Sequence, residues 1–511
     1  MNAGVVQGLQ GSIIEVQGRA VSVTKEPISW ETAVRITGLA RGAAGEAVTR
    51  LQGAFQKLGV PYPQVEILIN LVPADVPKDS SSLDLAIAIV MLQASGYLPD
   101  LPETVEGEYV LVGEVGLHAE LRRVRGVLSI AEAASPHQTL IVPIGNEREC
   151  AIVSLKENRK RCQVAAVGTL QEVVDFFAGK SRLENVINQR PTVNAAIPRA
   201  PDFAIIKGQQ QAKEAAVIAA AGGHNLLLIG PPGEGKSLLA HATAGILPPL
   251  EPDEIVELTR IYSAAGALDK DGTVVNRRPF RAVHHTASKQ SLVGGGSYAL
   301  QPGEITLAHL GILFLDELPE FRRDSLESLR QPMEDGVVTV TRVKARATFP
   351  ARFTLIAAMN PCPCGYYGTP QCNCSPREVA AYQERISGPL LDRIDMKVEM
   401  ERLTADERFS DQSVPGTKEL RTIVLNARKR QMERFAGLEI PFNAAIPAGR
   451  IRELCRFSSE GFEAYKRAVA ESSISTRTTD RLAKVARTVA DLEGSDSIEP
   501  PHIHKAVRFV I

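Results

Sequence analysis

The stretch NLLLIGPPGEGKS, Asn225 to Ser237, decides the fold of this 511-residue chain. Leu226, Leu227, Leu228 and Ile229 make a short continuous apolar run, the pattern of a strand buried on both faces. A glycine-rich turn follows, and a helix is expected to open at Lys236. Gly230, Gly235, Lys236 and Ser237 fill the pattern G-x-x-x-x-G-K-[ST], with Pro231, Pro232, Gly233 and Glu234 in its variable places. The chemistry of a nucleoside triphosphate explains these residue types. Glycines let backbone N–H groups converge on phosphate oxygens, and the helix N-terminus adds the positive end of its dipole. Lys236 reaches the β- and γ-phosphates, and the Ser237 hydroxyl is a ligand for Mg2+. ATP and Mg2+ are therefore the expected cofactors.

Downstream, the chain supplies the other half of such a site. Ile312 to Leu315 is a second short apolar run, expected as a central parallel strand, and Asp316 and Glu317 stand at its C-terminal end. Ligands bind at that end of strands in open α/β sheets. Asp316 is placed to hold Mg2+ through water, and Glu317 to orient and polarise the attacking water. Phe280 to Ala287 reads as another strand, and Gly294 to Gly296 as a flexible break. Phe353 to Ala358 is a further apolar strand, and Asn360 just past its tip is positioned to help hold the attacking water. The expected class is α/β, a parallel sheet with helices on both faces.

Between the last two strands runs EDGVVTVTRVKARATF, Glu334 to Phe349. Asp335-Gly336 signals a turn, Val337 to Val343 alternates with period two, and a second strand-like run follows Arg346, so a hairpin is expected over 335–350. Arg342, Lys344, Arg346 and Arg352 are its charged residues from Val337 onward, with no acid among them. A basic tip of this kind can follow a phosphate backbone, and Arg342, Lys344 and Arg346 are the candidate DNA contacts. Directly after Asn360 comes PCPCGYYGTPQCNCSP. Cys362-x-Cys364, seven residues, then Cys372-x-Cys374 bring four of the seven cysteines of the chain together in the insert 361–376. Four thiolates presented by two tight turns suit a closed tetrahedral Zn2+ site. Cys150, Cys162 and Cys455 stand alone and read as buried apolar residues.

The totals are those of an ordinary globular chain, 44% hydrophobic and 23% charged, with a net charge of −1 that gives no global attraction to nucleic acid or to an anionic membrane. The opening residues, MNAGVVQGLQGSIIEVQGRAV, do not read as a signal peptide, and no stretch is long and apolar enough to span a membrane. A cytoplasmic protein is expected, in which clustered cysteines mean metal or redox use rather than disulfides. Residues 1–185 read as mixed α and β. A proline-rich linker is expected over 186–203, the ATPase core over 204–400, and a helical region over 401–511, with helices from Lys418, Glu460, Ser475 and Pro501.

Several of these motifs resemble known families. The order of P-loop, Asp-Glu strand, Asn-tipped strand and helical tail resembles the AAA+ ATPases, which implies a helical lid and two more functional arginines. Arg393, in SGPLLDRIDMKVEM, matches the arginine finger that one subunit lends to its neighbour, and Arg477, in SISTRTTDRLAKVARTVADL, the sensor-2 arginine. The hairpin resembles that of the minichromosome-maintenance helicases, whose tip lysine grips DNA, with Arg342 at the matching place. PADVPKDSSSLDLAIAIVML and GEVGLHAELRRVRGVLSIAEAA resemble the proteolytic domain of the Lon family. There Ser82 falls at the nucleophile position and Leu128 at that of the catalytic lysine. Leucine cannot take the hydroxyl proton, so an inactive α+β domain is expected. Taken together, GGHNLLLIGPPGEGKS, LVGGGSYALQPGEITLAHLGILFLDELPEF, LRQPMEDG, FPARFTLIAAMNPCPCG and RISGPLLDRID look like the YifB/ComM family of magnesium-chelatase-like AAA+ proteins. That resemblance implies a homo-hexameric ATP-driven DNA motor acting on single-stranded, forked or branched DNA in recombination or natural transformation, alongside recombination proteins and with no membrane partner. Two other readings stand beside it: a chelatase-like motor that remodels a protein partner, and an ATP-dependent protease using Ser82.

Overall fold

Leu226–Ile229, Phe280–Val283, Ile312–Leu315, Thr354–Met359 and Met396–Glu399 form one parallel sheet in the computed structural model. The structure describes all residues except 75, 77, 79–80, 103–104, 106, 156–161, 184–195, 197–198, 269–273, 297–299, 343–344, 405, 408–414 and 473. Most of the expected linker, 186–203, therefore lies outside the described residues. We number the principal elements in chain order. An N-terminal sheet uses β1 (Asn2–Gln7), β2 (Gln10–Val23), β3 (Val34–Thr37), β4 (Val65–Val72), β5 (Tyr109–Leu111), β6 (Thr139–Pro143) and β7 (Gln163–Val167). The parallel sheet uses β8 (Leu226–Ile229), β9 (Phe280–Val283), β10 (Ile312–Leu315), β13 (Thr354–Met359) and β14 (Met396–Glu399), and the hairpin is β11 (Val337–Arg342) with β12 (Ala345–Pro350).

The parallel sheet has the order β9-β10-β13-β8-β14. The phosphate-loop strand β8 thus lies between the Asn-tipped strand β13 and the last strand, with Ile229 paired to both Met359 and Glu399. All four residues of β10 are buried, as its unbroken apolar run requires. Helices α3 (Gln210–Gly222) and α4 (Lys236–Ile246) flank β8. The C-terminal helices α7 (Thr417–Arg434), α8 (Ser459–Ser472), α9 (Thr476–Leu492) and α10 (Pro500–Val510) share one core with them. Asp202 ties the two ends of this unit together. Its Oδ1 accepts from the Ala204 amide at 3.0 Å and from the Thr417 amide at 2.9 Å, so it caps one turn and anchors the start of α7.

Two expectations change. The strand from Phe280 ends at Val283, because His284 to Ala287 turn on a 2.9 Å bond from the Ala287 amide to the His284 carbonyl. Gly294 and Gly295 pair with Gln301 and Pro302 in a short antiparallel ladder instead of forming a break. Gly294 has φ 101°, and a Cβ there would lie 2.4 Å from the Gln301 carbonyl oxygen, so the close strand approach demands glycine.

The N-terminal sheet is mixed, in the order β3-β4-β2-β1-β5-β6-β7, with α1 (Asp84–Ala94) and α2 (Val127–Ala133) packed on it. Ser82 is buried and its hydroxyl donates to the Gly4 carbonyl at 3.1 Å, while Leu128 lies fully buried within α2. The N-terminal unit is docked on the ATPase core through α5 (Pro252–Ala265), whose Val256 joins the apolar cluster of Val127, Leu128 and Val142. Burying that valine contributes about 1.5–3 kcal/mol. The Ser263 hydroxyl completes the joint, accepting from the Gly126 amide at 3.0 Å and donating to buried Glu149. Among the described residues no helix is long and apolar enough to cross a membrane.

Candidate functional site

The phosphate loop is held open by its own backbone. Gly233 and Gly235 have φ 82° and 87°, the left-handed region that favours glycine, and nothing lies within 4 Å of a Cβ built at either. Gly230 is needed for a different reason: a Cβ there would meet the Met400 carbonyl oxygen at 2.6 Å. Lys236 opens α4, and its ammonium donates to the carbonyls of Gly230 and Pro231 and to Asn360 Oδ1 at 2.5, 2.8 and 3.0 Å. Burial lowers the pKa of this lysine, while Asp316, Glu234 and Glu317 oppose that shift. Ser237 Oγ donates to Asp316 Oδ2 at 2.7 Å, although 79 residues separate them. A hydroxyl and a carboxylate side by side are the hard oxygen donors that Mg2+ takes. The open cradle, the lysine and these donors fit a Mg2+-bound nucleoside triphosphate.

Glu317 follows the buried strand β10 with φ 52°, the left-handed region, where a residue other than glycine is strained. Its carboxylate pairs with His285 Nδ1 at 2.9 Å. His285 comes from the turn just past β9, the neighbour of β10. The sequence motifs assign no role to His285; its visible signal is the His284-His285 pair at the end of a strand beside the Asp-Glu strand. A second residue to which the motifs assign no role is Asn225, just before β8. Its side chain accepts from the Leu355 amide at 2.8 Å and donates to the Arg393 carbonyl at 3.0 Å, while its own amide donates to Asp395 Oδ2 at 2.8 Å. The loop carrying Arg393 is thereby fixed to the root of the phosphate-loop strand.

The two arginines singled out by resemblance meet on one carboxylate. Arg393 Nη2 lies 2.5 Å and Arg477 Nη2 2.8 Å from Glu334 Oε1. The Arg393 side chain is 11% exposed, against 52% for Arg477 and 41% for Glu334. The paired arginines, Arg393 first, hold the Glu334 carboxyl below its usual range.

The hairpin strands pair from Val337↔Pro350 to Arg342↔Ala345. One face, Val338, Val340, Ala347 and Phe349, is buried in the core shared with Leu313 and Leu315. Exposed Thr341, Arg346 and Thr348 lie on the other. Lys344 lies outside the described residues, and for Arg342 the structure describes the backbone alone. The β1–β2 turn of the N-terminal unit reaches the buried face of the hairpin, where a Cβ at Gly8 would lie 2.9 Å from the Ala347 Cβ. Past Asn360, the four thiols of Cys362, Cys364, Cys372 and Cys374 all lie within 4.8 Å of one another. Three of their separations are 3.4, 3.9 and 3.7 Å. A zinc ion with Zn–S bonds of about 2.3 Å sets the edge of its sulfur tetrahedron at about 3.8 Å. Bonds from the Tyr366 and Asn373 amides hold the Cys364 thiol down to about 6. This loop touches the nucleotide cradle, since a Cβ at Gly365 would meet Pro232 Cδ at 2.7 Å.

A five-stranded parallel sheet with a phosphate-loop strand inside it, an Asp-Glu strand two places along and a helical C-terminal unit define an AAA+ ATPase. Residues 202–408 match the family described as magnesium chelatase, subunit ChlI, residues 26–146 match subunit ChlI of Mg-chelatase, and 415–509 its C-terminal part. YifB of Escherichia coli (strain K12) is 40% identical over 502 residues, covering 96% of this chain and 95% of that protein. Competence protein ComM of Haemophilus influenzae is 37% identical over 501 residues, 97% of this chain and 95% of its own. The maternal DNA replication licensing factor mcm6 of Xenopus tropicalis is 23% identical over 227 residues, 42% of this chain and 26% of that protein. The chain belongs to the YifB/ComM family of magnesium-chelatase-like AAA+ ATPases.

Proposed function

We propose that this protein is an ATP-driven DNA motor of the helicase or branch-migration type, working as a homo-hexamer in recombination or natural transformation. The observation that carries this reading is the hairpin, which roots one face in the core of the Asp-Glu strand and presents a face with Arg346 and no acid to solvent. In the proposed cycle Lys236 and the loop 230–237 hold the phosphates, and Ser237 and Asp316 hold Mg2+. Glu317 and Asn360 place the attacking water, Arg393 serves a neighbouring copy as an arginine finger, and Arg477 acts as the sensor-2 arginine. The reading places Arg342, Lys344 and Arg346 on the DNA. The relative named as a competence protein supports a role in natural transformation. The test is ATPase turnover with and without single-stranded and forked DNA, run beside casein degradation. Stimulation by DNA without proteolysis is expected. Casein cleavage abolished by Ser82→Ala would replace this reading with a protease, and turnover indifferent to DNA would favour a motor that remodels a protein partner.

Arg346→Glu is expected to weaken single-stranded DNA binding and to reduce the slope of log K against log salt by about 0.7 for each phosphate that is no longer neutralised. Basal ATPase is expected to stay within twofold of the parent. An unchanged salt slope would make the hairpin structural.

The four cysteines are proposed as a structural Zn2+ site, with a binding energy of about 10–16 kcal/mol available to order a loop that has little core of its own. Cys364→Ser with Cys374→Ser is expected to abolish stoichiometric zinc in elemental analysis. Because the loop leans on Pro232, the same change is expected to lower DNA-stimulated ATPase more than basal ATPase. Retained zinc, or an unchanged ratio of the two rates, would count against the respective claim.

A further inference from the structure

We propose that Glu334 is a positioning residue that holds Arg393 and Arg477 together in the resting chain and lets go when Arg393 engages a neighbour's nucleotide, linking that event to the hairpin. This rests on the reading of Arg393 as an intersubunit residue. Two guanidiniums donate to the same oxygen, Glu334 Oε1, and a γ-phosphate offers them the same kind of partner, an anionic oxygen. A guanidinium cannot serve both fully, so the carboxylate competes with the phosphate. The competition is mild, because Glu334 and Arg477 are both about half exposed and an exposed ion pair is weak. Arg393 is the better buried partner, and its Nε has no hydrogen bond, so its hold on the resting site is incomplete.

Position gives the release a consequence. Glu334 lies in the short helix α6 (Arg330–Asp335), and Gly336, with φ 66°, closes that helix immediately before β11 begins at Val337. The residue that lets go of the arginines is therefore three residues from the first strand of the hairpin. Asn225 fixes the backbone of the Arg393 loop through its 3.0 Å bond, so the side chain of Arg393 can swing while its loop stays in place. Arg477 reaches the same carboxylate from the N-terminal turn of α9 in the lid. Glu334 thus joins three parts that an ATP cycle has to move together: the Arg393 loop, the lid and the hairpin root.

Glu334→Gln keeps the side chain's shape and removes its charge. It is expected to raise ATPase turnover without DNA about tenfold, equivalent to about 1.4 kcal/mol of barrier, while the rate with forked DNA stays within twofold of the parent. The stimulation ratio then collapses, which a merely structural role would not produce. Glu334→Asp, which keeps the charge, is expected to restore the low rate without DNA, and matched melting curves show that both variants fold. A turnover without DNA that is unchanged or lowered in a folded Glu334→Gln would overturn the proposal. Arg393→Ala separates the two levels. If it abolishes turnover while Glu334→Gln changes nothing, the restraint alone is wrong; if Arg393→Ala leaves turnover intact, the intersubunit reading and the restraint fall together.

Discussion

Arg393→Ala is expected to lower kcat for ATP hydrolysis about 10³-fold or more, with a much smaller change in KM. An arginine brought to a transferring phosphoryl group from a neighbouring molecule contributes 10³–10⁵ in rate in other P-loop enzymes, because it meets charge that develops only in the transition state. Burial lowers the pKa of Lys236, and the acidic groups Asp316, Glu234 and Glu317 work against that shift. In the isolated chain Arg393 is spent on Glu334 and on the Pro389 carbonyl, so it is ready for use but not in place. A trans role also makes a prediction that a folding defect cannot imitate. Mixing the variant with a Lys236→Ala chain is expected to recover part of the lost activity, since each chain supplies what the other lacks. The alternative outcome, turnover within tenfold of the parent in the purified Arg393→Ala assembly, would remove the intersubunit switch from the mechanism.

The parts of this site that are legible in the amino-acid order are those where chemistry demands a residue type at a fixed spacing. Gly235 is needed for left-handed backbone, and Ser237 and Asp316 supply the hard oxygen donors proposed for Mg2+, so the phosphate loop and the end of β10 declare themselves through residue type and spacing alone. The buried strands are legible too, because Ile312–Leu315 is apolar without interruption. Pairings between distant segments are not. Nothing in the local sequence of Glu334 says that its carboxylate will meet Arg393 and Arg477, and the link depends on how the lid folds back on the core. His285 illustrates the same limit at shorter range. Its side chain reaches Glu317 only because β9 and β10 are neighbours, and neighbour order is a property of the sheet. The docking of the N-terminal unit is equally hidden, since Val256 looks like an ordinary position of an amphipathic helix until α2 is packed against it. Asp202 lies between these cases: its type announces a cap, and the fold gives it the Thr417 amide as a second partner.

Glu317→Gln is expected to reduce ATP turnover about 10²–10³-fold while ATP binding, read by a fluorescent nucleotide analogue, stays within threefold of the parent. The amide keeps the volume and one acceptor of the carboxylate but cannot polarise a water, so ground-state binding through Lys236 and the loop is untouched. Two features of Glu317 make it the residue to bear this load. Its φ of 52° is a strained value for any residue with a Cβ, and such strain of about 1–3 kcal/mol persists where the surroundings over-determine it. Here the Glu317 amide is fixed to Asp316 Oδ1 at 2.9 Å, which ties the backbone of the base to the proposed Mg2+ residue. Its side chain is held by His285, whose Nδ1 lies 2.9 Å from Oε2. The histidine therefore provides the control. His285→Ala removes the partner and leaves the base, so its turnover is expected to stay within tenfold of the parent, far above that of Glu317→Gln. A loss in His285→Ala as deep as that in Glu317→Gln would transfer the water-activating role to the pair, and a Glu317→Gln enzyme as fast as the parent would show that the attacking water is oriented elsewhere, with Asn360 the next residue to test.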